Sequence, residues 1–370
     1  MLNIPASYDD SRARFRSYAE RIRDLWPAAR FDAHPLAFDP SVSIDWCSAE
    51  AIERKERLFI LTTGLHGIEG YLGAAMLDIF VNDYLPGFDP ATSGILLVHA
   101  VNPWGMKHWR RNNPHNVDLN RNFCDPSSLT ELNPDYEPLF DFLNPSGPLK
   151  SIVYSTVRFA GQAISSIRKF GVSRIREAAL MGQYCHPEGI YFGGADRQEE
   201  TEVMQSLFQH AITDYTQVTH LDMHTGYGPR LQITLVNSPQ EPMTSVETAD
   251  RFGVPRVAAT TPDEFYTIHG DMTDYLYTLA REKSPKTKLY AGAFEFGTFG
   301  ESLAAGIRSL RITILKNQAN LFGANPAAQA WVDEEYRELY LPADPAWRAR
   351  AENDGRQAFE GILQAEGFVK

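Results

Sequence analysis

The feature that most constrains the fold is a change of period around residues 57–80. Residues 57–64, Arg-Leu-Phe-Ile-Leu-Thr-Thr-Gly, form an apolar run of strand length ending in glycine. After Leu65-His66-Gly67-Ile68-Glu69-Gly70, the residues Leu72, Ala75, Met76, Ile79 and Phe80 recur at helical spacing. This is a strand–loop–helix unit. The next apolar run, residues 94–103, reads as a second strand. Such alternation predicts an α/β fold, with a mixed, mostly parallel central sheet flanked by helices.

The rest of the chain continues the pattern with decorations. Residues 8–25 read as an Arg-rich amphipathic helix, followed by a Pro-containing irregular stretch to about residue 50. Residues 124–150, rich in Pro, Asn, Asp and Ser, read as a long surface excursion. Helices are expected over 151–183 and 199–215, with a Gly-rich, hairpin-like segment at 188–196 between them. Strands are expected at 218–226, 231–237 and 288–298, and helices at 273–282, 299–322 and through the last fifty residues. No internal repeat, low-complexity tract or linker interrupts the chain. One domain over 1–370 is expected, with a core at about 50–323, a helical insertion at about 124–215 and a C-terminal helical extension at 324–370.

Composition narrows the partners. A formal net charge of -12 over 370 residues argues against a nucleic-acid binder, which presents a basic face. No uninterrupted apolar run approaches the roughly 20 residues of a membrane span. The N-terminus turns charged within its first ten residues and has no apolar signal core, so a cytoplasmic location is expected. Cys47, Cys124 and Cys185 form no CxxC pair, which excludes a disulfide framework and a thiolate zinc site.

Four clusters carry chemistry. In His66-x-x-Glu69 the histidine ends a strand and the glutamate begins a helix, so both can turn towards one point above the sheet. Zinc takes imidazole nitrogen and carboxylate oxygen, and catalytic sites leave one position open. Asp222-Met223-His224-Thr225-Gly226 places His224 at a strand's carboxyl end, where open α/β sheets bind ligands. His220, Asp222 and His224 share one strand face, and His220 with Asp222 reads either as a hydrogen-bonded pair or as support for a second metal. Asn102-Pro103-Trp104-Gly105, Trp109-Arg110-Arg111 and Asn116–Phe123 gather three arginines and several amides, an anion-binding candidate. Phe294-Glu295-Phe296-Gly297 sets a carboxylate in an apolar strand, where burial raises its pKa into the range of a general base.

In order and spacing these clusters resemble the zinc carboxypeptidase family, over about residues 57–300. The stretches 108–125 and 182–194 look most like an uncharacterised bacterial branch of it. The resemblance implies the fold of that family (phosphorylase/hydrolase-like) and one Zn2+ per chain, held by His66, Glu69 and His224. It implies that Asp118 orients the first histidine, that Arg110 stabilises the oxyanion, and that Glu295 is the general base. Asn120 and Arg121 match the pair that grips a substrate's terminal carboxylate. Tyr266 matches a mobile tyrosine that closes over substrate, with Tyr275 and Tyr277 nearby as alternatives. Asp271 and Thr273 fall where the side-chain pocket is expected, Asp271 either favouring a basic side chain or starting a helix.

The expected activity is therefore cleavage of a C-terminal peptide or amide bond by a zinc-activated water. The expected partner is a peptide or small amide with a free carboxylate. The interval from Arg121 to His224 is longer than in the family's digestive members, so an inserted helical segment is expected to reshape or cover the cleft. The main rival is an N-acyl amino acid amidohydrolase of the aspartoacylase/succinylglutamate desuccinylase type, which shares the ligand pattern and a DLNR-like string. A binding module without catalysis would lack a ligand or the base, and none is missing.

Overall fold

The computed structural model describes residues 2–370 and builds them around one eight-stranded sheet. Its strands are β1 (Arg30–Pro35), β2 (Ser43–Ala49), β3 (Arg57–Thr63), β4 (Ser93–His99), β5 (Gln217–Gly226), β6 (Ile233–Asn237), β7 (Val257–Ala259) and β8 (Lys288–Gly297). They lie in the order β1-β2-β4-β3-β5-β8-β6-β7. The central run β4-β3-β5-β8 is parallel throughout. The β1–β2, β2–β4 and β6–β8 pairings are antiparallel, and β6–β7 is parallel. The mixed α/β sheet is thus as expected.

Sequence explains the centre directly. β3 is buried from Leu58 to Thr63 and β4 along its whole length, as continuous apolar strands covered on both faces must be. The helix Gly70–Ile79 contributes Leu72, Ala75 and Met76 to the main core. The C-terminal helix Pro345–Ala365 adds Trp347, Phe359, Ile362 and Leu363 to the same core. Each such side chain contributes about 1.5–3 kcal/mol on full burial, so this helix is held to the body by packing. Among the described residues no helix is long and apolar enough to cross a membrane.

The departures have local causes. β1 and β2 occupy the stretch expected to be irregular. β1, Arg-Phe-Asp-Ala-His-Pro, is a half-exposed edge strand ending in proline, so it carries no apolar alternation. The helix expected over 8–25 is two helices, Tyr8–Ser17 and Ala19–Leu25. That over 151–183 is split into Ile152–Phe170 and Val172–Leu180 by Gly171, whose φ of 79° suits a residue without Cβ. The segment around 188–196 is not a hairpin, because Phe192 makes only single bridges to Val117 and Gln183.

Residues 124–150 are more than a surface excursion. They bury Tyr136, Leu139, Phe142 and Leu143 in a second apolar cluster. Phe159, Ala163, Ile175 and Ala179 from the two following helices complete it, with Ile314 of the helix Leu303–Phe322.

Candidate metal centre

The carboxyl ends of β3, β5 and β8 lie side by side and feed one buried cluster. His224 of β5 is in register with Glu295 of β8, and Thr63 of β3 with Met223 of β5. β3 leaves the sheet through Gly64, at φ 69°, where a Cβ would sit 2.8 Å from that of Ala100. His66 and a single helical turn, Gly67–Glu69, follow. A strap holds this turn from outside. The Gly67 and Ile68 amides donate to the Arg111 and Arg110 carbonyls at 3.1 and 2.8 Å. Asn102 secures the strap, its side chain accepting from the Gly105 amide at 2.8 Å and donating to the Arg111 carbonyl at 3.1 Å.

Three donor groups meet inside that frame. His66 Nδ1 is 3.0 Å from Glu69 Oε1, His224 Nδ1 is 3.0 Å from Glu69 Oε2, and the two Nδ1 atoms are 3.1 Å apart. The outer nitrogens face carboxylates: His66 Nε2 lies 3.1 Å from Asp118 Oδ1, and His224 Nε2 lies 2.6 Å from Asp222 Oδ2. The second contact is an ion-pair distance without hydrogen-bond alignment, since Asp222 Oδ2 has no aligned donor. The Asp118 contact assigns the outer proton of His66 and leaves its Nδ1 lone pair on the shared point. With His224 Nδ1 and a Glu69 oxygen at the same point, the three groups are placed to hold a cation between them.

The arrangement fits zinc in donor type and in charge. Two imidazole nitrogens and a carboxylate are a catalytic zinc set, and tetrahedral bonds of about 2.0–2.1 Å put ligand atoms roughly 3.3 Å apart, close to the separations here. Glu69, Asp118 and Asp222 are buried, and the one guanidinium in ion-pair contact with them is Arg111, 3.3 Å from Glu69 and 3.1 Å from Asp118. A dication supplies the two positive charges that are missing.

The titration directions follow from the same contacts. Burial alone would raise Glu69, but His66 and His224 hold its carboxyl below the usual range. Burial would also raise Asp118, yet Arg111, His66 and Arg121 keep it well below. His224 moves upward despite burial because Asp222 and Glu69 favour its charged form. Glu295 is pushed up to about 8 by burial and the charge of Glu69, against His224, the Tyr227 amide and Arg111. Its Oε1 accepts from that amide at 2.8 Å.

A cavity of about 600 Å³ opens onto this cluster, lined by His66, His224, Glu295, Arg111, Asn120 and Tyr266 among others. The remaining expected residues divide. Asp271 accepts from the Thr273 and Asp274 amides at 2.7 and 3.0 Å and from Asn120 Nδ2 at 2.9 Å, so its carboxylate starts the helix Met272–Lys283. Thr273 donates its hydroxyl to the same carboxylate at 2.5 Å. Both line the cavity with their polar atoms already partnered.

Two arginines differ from expectation. Arg110 is not among the cavity residues; its guanidinium lies 5.7 Å from the Trp104 ring centre. Arg111, the next residue, takes the place at the site. Arg121 is fully buried and does not line the cavity; it donates to the carbonyls of Met181, Asn120 and Leu180 at 3.1, 2.9 and 2.7 Å. The guanidinium expected to grip a substrate carboxylate is thus occupied by backbone carbonyls, two of the three from Leu180 and Met181.

Tyr266 stacks on Phe265, ring centres 4.4 Å apart, and lies edge-on to Tyr227. Tyr275 and Tyr277 lie outside the cavity lining. His220 and Asp222 are joined through Thr62, whose hydroxyl donates to Asp222 Oδ1 at 2.6 Å and sits 2.9 Å from His220 Nε2. His186 contacts Glu137 at 2.7 Å, away from the cavity.

Lining residues to which the sequence gives no individual role are Arg111, named there only within the arginine cluster, Asp222 in its contact with His224, Tyr191 and Tyr340. Tyr191 lies against Arg111 and Arg121, 5.3 and 5.9 Å from its ring centre, at φ 53°. Asp222 was legible as a face-sharing neighbour of His224; nothing in the sequence marks the two tyrosines.

Fold comparison returns low-scoring likenesses. A bovine thrombin-activatable fibrinolysis inhibitor, solved with tick carboxypeptidase inhibitor, has 14% identity, a TM-score of 0.48, and coverage of 90% of this chain and 96% of that one. A carboxypeptidase A from Helicoverpa armigera has 14% identity and a TM-score of 0.48, covering 90% and 74%. An aspartoacylase family protein from Mesorhizobium loti has 15% identity and a TM-score of 0.38, covering 80% and 67%. TM-scores below 0.5 are too low to bear on chemistry. No curated protein matches the chain by sequence. A family model does, over residues 5–353, and the chain belongs to that family, described as "Protein of unknown function (DUF2817)".

Proposed function

We propose that the protein is a zinc-dependent hydrolase of amide bonds, with His66, Glu69 and His224 holding the metal and Glu295 as general base. The observation that carries this reading is the convergence of two Nδ1 atoms and one carboxylate beside a buried Glu295, at the wall of a large cavity. Zinc held there supplies an acidified water and a Lewis acid for the substrate carbonyl.

Glu295 takes a proton from the attacking water and delivers it to the amide nitrogen. The water oxygen bonds to the carbonyl carbon, the C–N bond breaks, and the amine leaves with that proton. The Tyr227 amide, 2.8 Å from Oε1, fixes the carboxylate's orientation. Burial and the charge of Glu69 push Glu295 up to about 8, and a dication held beside it would favour its ionised form. Arg111 contributes positive charge from the cavity wall while holding Glu69 and Asp118 in position.

The narrower expectation, removal of a C-terminal residue, needs a cation for the terminal carboxylate. With Arg121 committed to backbone carbonyls, amide hydrolysis without that clamp is the reading the geometry favours. The test is metal content after zinc reconstitution, with hydrolysis of free and amidated peptides and of N-acyl amino acids, each with and without chelator. One zinc per chain and chelator-sensitive cleavage are expected. A protein that takes up no zinc, or cleaves equally well without it, would sink the proposal.

A further inference from the structure

Beyond the ligands, the cavity wall is apolar and has an identifiable source. Phe159, Ala163, Ile167 and Ile175 come from the two insertion helices, and Ile307 and Leu310 from the helix Leu303–Phe322. All six also belong to, or pack against, the second apolar cluster, so the wall is a firm layer backed by hydrophobic contacts. At the cavity's margin two apolar side chains remain open to solvent, Val172 at 40% and Leu303 at 57% exposure. Apolar surface of this size facing an enclosed space is what binds an apolar ligand group.

The charged lining residues point the same way. Its arginines, among the described residues, are Arg111 and Arg176. Arg111 is held by Glu69 and Asp118, and Arg176 donates to the Phe265 carbonyl at 2.7 Å and to the Tyr227 hydroxyl. No lysine lines the cavity. Asp263 and Glu264 line it from exposed positions, and Glu301 does so paired with Arg256; with Asp222, Asp271 and Glu295 they outnumber the two arginines, which disfavours an anionic substrate group.

We infer that the substrate is an uncharged amide bearing a long apolar chain, which the insertion helices and the helix Leu303–Phe322 enclose while the amide meets Glu295. This rests on the amide-hydrolase reading for its chemistry, but the chain-binding wall stands apart from it. The wall selects for chain length through area removed from water, about two- to fourfold in affinity per buried methylene. The chain belongs either to the acyl part or to the amine part of the amide, and both present the same surface.

Two substrate series of two to sixteen carbons separate those sources: N-acyl glycinamides, and acetamides of n-alkylamines, each followed by the amine released from the zinc-loaded protein. In one series kcat/KM is expected to climb with length, by at least about a thousandfold between two and twelve carbons. Binding of N-dodecanoyl glycinamide and of N-dodecylacetamide to the Glu295→Gln protein, followed by calorimetry, reports on the wall without catalysis. Ala163→Trp, with Ala163→Leu as the milder variant should the first not fold, narrows the space. Either is expected to lower the ratio of twelve-carbon to two-carbon kcat/KM by about tenfold.

Long-chain binding without any hydrolysis would uphold the chain-binding wall and overturn the amide chemistry, removing the amide-hydrolase reading with it. Hydrolysis indifferent to chain length in both series, or a folded Ala163 variant with an unchanged length profile, would overturn the inference and leave the hydrolase reading standing.

Discussion

The two walls of the cavity are built on opposite rules. At the strand ends His66, Glu69, His224, Asp118, Asp222 and Arg111 each answer a neighbour's charge at 2.6–3.3 Å. On the helical wall Arg176 is the one charged side chain among the described lining residues, and Phe159, Ala163 and Ile175 are fixed by packing. The difference shows how each can fail. A polar wall depends on single atoms, so one substitution changes its chemistry. An apolar wall depends on area and shape, so it loses affinity gradually while the chemistry persists.

The largest effect should come from Glu295→Gln. Its amide cannot take a proton, and a lost general base costs about 10²–10⁴-fold in turnover. Turnover should fall by the same factor for every chain length, with zinc content unchanged. A fall confined to long chains would erase the distinction between the walls.

A buried histidine without a carboxylate provides the contrast. His99 has the Ser11 hydroxyl at 2.7 Å and stacks on Phe15, and burial pushes its pKa down to about 4, against Asp45, which opposes the shift. Its folded pKa lies below the ordinary 6.5, so its contribution is complete above pH 6.5 and is lost as pH falls through 4. The metal-free protein should lose on the order of 3 kcal/mol of stability across that window from this group. His99→Gln should flatten the fall seen in denaturant titrations; an unchanged slope would mean that His99 is not the titrating group.

Asp222→Asn sharpens the role of the outer carboxylates. Zinc affinity, measured by competition with a chromophoric chelator, should weaken about 10–100-fold. Binding of long-chain amides to the apolar wall should be unaffected. Undiminished zinc affinity would reduce Asp222 to a packing residue. The smallest change is expected at the strap. Asn102→Ala removes the side-chain cap and the hold on the Arg111 carbonyl, costing about 1 kcal/mol in thermal stability. A cost near zero would show that the strap is held by its backbone bonds alone.

How much was legible follows the same division. β3, β5 and β8 read clearly because central strands are long and apolar, and His66, Glu69, His224 and Glu295 stand at their ends in the printed order. β1 escaped notice because an edge strand needs no apolar alternation, and β7 because it has three residues. The choice between Arg110 and Arg111 turns on which side chain a tight loop directs inward, and Trp109 at φ 53° sets that turn. The partners of Arg121 were not legible because the Leu180 and Met181 carbonyls lie some sixty positions on. The apolar wall left no motif at all: Phe159, Ala163 and Ile175 have ordinary helical spacing and become a cavity wall only by tertiary packing.

The most direct test of the central claim is X-ray absorption at the zinc edge, on protein reconstituted with one equivalent of metal. Two imidazole nitrogens and carboxylate oxygen at about 2.0–2.2 Å, with no sulfur, are the predicted shell. A sulfur shell near 2.3 Å, or a spectrum of hydrated zinc, would contradict the assignment of His66, Glu69 and His224.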